Sequence, residues 1–119
     1  MRLTAMLSVA MIAGASAACG SFAPPNEKLT EAEAAVRSAR EVGAPEVPRA
    51  SLHLRLAEEQ LDKARNLMAR EEFQRADLAL TRAKADAELA IAVSKGFEVE
   101  AETKAAQDKV AKLRAALGR

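Results

Sequence analysis

The 119-residue chain has no tryptophan and no tyrosine, a single cysteine and a single histidine. Three phenylalanines supply its whole aromatic content of 3%. One Cys and one His cannot build a zinc site, a disulfide framework or a Cys–His nucleophile pair with any redundancy. An excess of one charge is missing too, since 18 basic residues stand against 17 acidic ones. That balance leaves no basic footprint for phosphate backbones, so nucleic acid is not an expected partner. What the chain does have is alanine, 29 of its residues. With Leu, Glu, Arg and Lys these are strong helix formers. The composition therefore predicts an all-α protein, not an enzyme, with no cofactor and no metal.

The charges are unevenly placed. Arg2 is the only charged residue before Glu27. It precedes an apolar run from Leu3 to Ala15, then Ser16-Ala17-Ala18 and the lone Cys19. A positive start, an apolar middle and a small-residue end are the three parts of a secretory signal. The stretch from Leu3 to Ala18 is shorter than the roughly 20 residues a membrane-spanning helix needs. Residues 1–18 are expected to be the signal, 19–27 a flexible tether containing Pro24-Pro25, and 28–119 a helical domain. Removing the signal removes Arg2 and leaves 17 bases against 17 acids.

The small residues before Cys19 resemble the lipobox of bacterial lipoproteins, although Ser16 stands where that motif usually has Leu. The resemblance implies cleavage between Ala18 and Cys19 and a covalent lipid on the Cys19 sulfur. Several acyl chains would make the anchoring stable. Gly20 in place of Asp implies the outer membrane. Ala15-Ser16-Ala17 also fits ordinary signal peptidase, which would cut after Ala17 and release a soluble periplasmic protein.

From Leu29 onward, apolar residues recur at three- and four-residue spacing, the signature of one helical face. A first helix is expected with Thr30 and Glu33 as a capping box and Leu29, Ala32, Val36 and Ala39 inward. Gly43-Ala44-Pro45 ends it. A second helix opens at Pro48, runs to about Arg70, and turns in Leu54, Ala57, Leu61, Ala64 and Met68, with Leu67 alongside. After a polar break at Ala69–Ala76 comes a third, with Phe73, Ala76, Leu80, Ala83, Ala87, Ala90 and Ile91. Gly96 either kinks it or lies within it. A last stretch carries Val99, Ala106, Val110, Leu113 and Leu117. The expected architecture is an alanine-rich antiparallel hairpin or bundle of three to four helices. Five acid–base pairs are expected along the helices at i,i+4: Glu33/Arg37, Glu59/Lys63, Glu71/Arg75, Glu100/Lys104 and Asp108/Lys112.

The segment Gly43–Ser94 carries a family resemblance. Its Gly43-Ala44-Pro45 turn, the Leu61-Asp62-Lys63-Ala64 helix, Glu72-Phe73 followed by Ala76, and the return through Ala83, Ala87 and Ala90 resemble the domain-of-unknown-function 4398 family. Those are small bacterial envelope proteins, often with lipoprotein signals and without an established activity. The hairpin is also similar to a single tetratricopeptide unit, but stable repeats need three or more.

No residues stand out for catalysis. His53 reads as an edge histidine with no matched acid. Ser38, Ser51, Ser94, Thr81 and Thr103 read as surface or cap residues, and Phe73 and Phe97 as core plugs at the hairpin ends. Alanine seams bury little area per residue, so either the helices are long enough to sum many weak contacts or part of the seam awaits a partner. The expected function is a structural or interaction lipoprotein in the outer membrane. Its partners besides the membrane would be an envelope protein, peptidoglycan or a second copy.

Overall fold

Three helices and one short turn account for almost all of residues 21–118, the part of the chain that the computed structural model describes. Helix α1 spans Asn26–Glu41, a 3-10 turn covers Ala44–Glu46, α2 spans Pro48–Ala69, and α3 runs unbroken from Phe73 to Ala116. Cross-helix ion pairs set the directions. Lys28 and Glu31 of α1 meet Asp77 and Lys84 of α3 in the same order, so these two helices are parallel. Glu33 meets Arg65 and Arg40 meets Glu58, so α1 and α2 are antiparallel.

The core is the alanine seam the periodicity predicts. Ala32, Val36 and Ala39 of α1, Ala50, Leu54, Ala57, Leu61, Ala64 and Leu67 of α2, and Ala76, Ala79, Leu80, Ala83, Ala87 and Ala90 of α3 are buried. Small residues on α3 leave room for the leucines of α2 and let the helix axes approach closely. Two positions exchange roles, since Leu67 is buried whereas Met68 only packs partly against the core.

Local chemistry sets the boundaries. Gly43 adopts the left-handed conformation, φ 80°, just after α1, as a helix-ending glycine does. The start of α1 differs from the expected capping box. The Leu29 amide donates to the Pro25 carbonyl, and the helix begins at Asn26, inside the segment expected to be tether. Thr30 therefore lies one turn in, and its hydroxyl donates back to the Asn26 carbonyl.

The α2–α3 turn has neither Gly nor Pro yet reverses the chain within three residues. The Glu72 amide donates to the Leu67 carbonyl and the Glu71 amide to the Met68 carbonyl, the Schellman pattern. That pattern needs a left-handed residue, and Glu71 takes it with φ 60°. Gly96 neither kinks nor ends α3; a single glycine costs about 1 kcal/mol, which 44 residues absorb.

Helix α3 is twice as long as α2. Beyond Ser94 every residue to Gly118 is exposed, forming an overhang about 33 Å long at 1.5 Å per residue. Phe97, expected in the core, is 55% exposed, lying past the last buried residue of α3, Ser94, where only the start of α2 borders it.

Candidate functional site

The hairpin has two dissimilar ends. At one end the described chain enters. Ser21 and Phe22 line a shallow depression of about 480 Å³ with Glu71, Glu72, Phe73, Gln74 and Arg75, so the N-terminal segment meets the bundle beside the α2–α3 turn. Cys19 and Ala18, the expected lipid attachment and cleavage residues, lie outside the described residues. At the other end, α3 continues alone, starting from a groove between the Val47-Pro48-Arg49 segment and Val93, Gly96, Phe97 and Glu100. Among the described residues, no helix is long and apolar enough to cross a membrane.

The charged side chains hold the helices to one another. Lys28 Nζ lies 2.7 Å from Asp77 Oδ2, Lys84 Nζ 2.8 Å from Glu31 Oε2, and Arg65 Nη2 2.8 Å from Glu33 Oε1. Arg40 grips Glu58 through both Nε and Nη2. None of the five expected i,i+4 pairs forms. Glu33 reaches α2 in place of Arg37, and Glu59 meets Arg55 at 3.9 Å in place of Lys63. Arg75 pairs with Glu72, which lies on its side of the turn, and not with Glu71. Glu100, Lys104, Asp108 and Lys112 on the overhang make no ion pair among the described residues. A partner across a helix interface is held in place by packing, whereas one on the same exposed face must be ordered by the pair itself.

These contacts shift the titration of their members. The Lys84 ammonium, donating to Glu31, holds that carboxyl below its ordinary value, and Glu31 in turn raises Lys84. Arg65 is raised first by its hydrogen bond to Glu33 and further by Asp62.

His53 has the acid that the sequence did not reveal. Its Nδ1 lies 3.8 Å from Asp86 Oδ1 across the α2–α3 interface, too far for a hydrogen bond. That nitrogen is buried with no partner, as are Gln60 Oε1 and Ser94 Oγ. Ser94 is thus a core residue, 3% exposed, and not a surface or cap residue. Three of the other hydroxyls are occupied locally: Ser51 donates to the Pro48 carbonyl, Thr81 to the Asp77 carbonyl and Thr103 to the Val99 carbonyl. Thr81 Oγ1 also accepts from Lys28 Nζ at 3.5 Å. Glu58 and Glu72, each of which adjoins another glutamate, are tied to Arg40 and Arg75. Among the described residues no three acidic, His or Cys side chains converge as a metal site would require.

What the arrangement offers is a rod with a chain entry at one end and a bare amphipathic helix at the other. Neither the curated proteins nor the solved structures contain a match to it. A family model does match, and it extends well past the Gly43–Ser94 hairpin to take in α1 and most of the overhang. Over residues 27–113 the chain matches, and belongs to, the family described as a domain of unknown function, DUF4398.

Proposed function

We propose that this protein is a lipid-anchored interaction module of the bacterial envelope, held to the outer membrane by acylated Cys19 and facing the periplasm. The observation that carries the reading is the lone cysteine placed directly after a signal-like segment and small residues. The architecture supports it. Only a few residues separate Cys19 from the bundle, and they join it at the end opposite the overhang. An anchor there would present the overhang away from the lipid surface, where a partner could reach it. The role we assign is structural. Incorporation of labelled palmitate in cells, abolished by Cys19→Ala, is expected; an intact protein that takes up no label would refute the anchor.

A second reading rests on Ala15-Ser16-Ala17 and on Ser16 in place of the usual lipobox leucine. It makes the same bundle a soluble periplasmic binding module. The mass of the mature amino terminus separates the two: a diacylglyceryl, N-acylated Cys19 in one case, an unmodified Ala18 in the other.

A further inference from the structure

On the overhang, Val99, Thr103, Ala106, Val110, Leu113 and Leu117 follow alternating four- and three-residue steps. This is the a/d seam of a coiled coil. At 100° per residue the seam lies about 140° around α3 from the buried line Ala76–Leu80–Ala83–Ala87–Ala90–Ser94. It is close to the side of α3 that α1 covers lower down, where Lys28 and Glu31 meet Asp77 and Lys84. α1 ends at Glu41 and the side is bare from there on. Val99, Val110, Leu113 and Leu117 are 46–64% exposed.

We infer that this lane is filled by the same segment of a second copy, running antiparallel. Two independent patterns fix the direction. The first is size. Small seam residues occupy the first half of the segment and large ones the second. Antiparallel pairing sets Val99 against the partner's Leu117, Thr103 against the partner's Leu113, and Ala106 against the partner's Val110. Each layer then joins a smaller residue to a larger one. A parallel pair would stack Ala106 on itself, leaving a void, and Leu117 on itself. The second is charge. Glu98, Glu100 and Glu102 cluster near the start of the overhang and Lys109, Lys112 and Arg114 near its end. In the same register Glu100 flanks the seam opposite the partner's Arg114, twice by symmetry. The same register sets Lys109 beside the partner's Lys109 once, against the two attractive pairs; parallel chains would bring Lys109 beside the partner's Arg114 twice with no attractive pair in the segment to offset it.

The register uses each seam residue once and ends opposite Val99, just above the α1 terminus. An interface of this length covers about 1,000 Å² in total, the low end for specific pairs. The inference does not depend on the lipid, since the seam lies within α3 and its C-cap residue Leu117.

The test uses two differently tagged full-length chains, one carrying Thr103→Cys and the other Leu113→Cys, mixed and mildly oxidised. Mass spectrometry of the linked peptides separates these bonds from any made by Cys19. The expected main product is a disulfide joining position 103 of one tagged chain to position 113 of the other. It should be lost when Val110→Glu is added to both chains, with helix content unchanged because Val110 is exposed. Glu100→Arg alone should reduce the yield about fivefold, and adding Arg114→Glu should restore it. Bonds joining like positions, a yield indifferent to Val110→Glu, or no bond at all would overturn the pairing.

Discussion

Lys84, on α3, reaches 2.8 Å across to Glu31, on α1, and each holds the other in its charged form. The Glu31 carboxyl is lowered, so its contribution to stability is complete above the unfolded value and lost as pH falls through the lowered folded one. Lys84 is raised, so its share is complete below its unfolded value and lost as pH rises through the folded one. Both side chains are solvated, which keeps the effect on stability small. The clean readout is the titration itself. NMR should find the Glu31 carboxyl below the ordinary glutamate range, and Lys84→Met should return it there. A Glu31 titration unaffected by Lys84→Met would show that the pair does not form in solution.

Glu71 carries the one positive φ outside glycine among the described residues. A residue with a Cβ costs roughly 1–2 kcal/mol in that conformation, part of which glycine returns through the freer unfolded chain. Glu71→Gly should therefore stabilise the bundle by about 0.5–1 kcal/mol in chemical denaturation. Its mirror is Gly43→Ala at φ 80°, which should destabilise by about 1 kcal/mol even though the nearest atom to an added Cβ is 3.5 Å away. Equal effects at the two sites would contradict this account of the turns.

The seam was legible because burial on a helix face follows a period that residues such as Ala32, Val36, Ala57, Leu61, Ala83 and Ala87 spell out directly. The charge pairing was not. Whether Glu33 meets Arg37 or Arg65 depends on how α1 and α2 are rotated about their axes, which packing decides. Glu71 carries no mark either, because its left-handed turn follows from the Schellman hydrogen bonds and not from a turn-favouring residue. His53 and Asp86 are 33 positions apart, so only the register of α2 on α3 brings them together. Periodicity also treats Val99–Leu117 like the buried seams, since it reports that a face is apolar without saying what covers it.

That difference between two apolar faces of one helix can be measured. Leu80 is 1% exposed and Leu113 56% exposed. Leu80→Ala should cost about 2–5 kcal/mol by opening a cavity. Leu113→Ala should leave monomer stability within about 0.5 kcal/mol, as exposed substitutions do. Filling the tight seam should also hurt: Ala83→Leu is expected to cost about 1–3 kcal/mol through overpacking. Denaturation at concentrations too low for pairing separates the cases. A large loss at Leu113 under those conditions would mean the overhang folds back on its own bundle.

The lipid anchor and the antiparallel pair together make a stronger prediction than either alone. The chain enters beside Phe73 and the overhang begins past Ser94, so pairing two overhangs points the two hairpins in opposite directions. The anchors then lie at opposite poles of a rod about 100 Å long at helical rise. Such a rod can lie along one membrane with both tethers in the same leaflet, or bridge two facing surfaces from pole to pole. By bridging, acylated protein incorporated into two populations of vesicles should draw them together, seen as energy transfer between lipid dyes or as turbidity. Val110→Glu should abolish the effect while leaving membrane incorporation intact. Addition of the non-acylated protein should compete for the overhangs and disperse the vesicles. Vesicles that stay apart although the overhangs crosslink in solution would mean that the anchored pair lies flat on one surface, with both tethers in one leaflet.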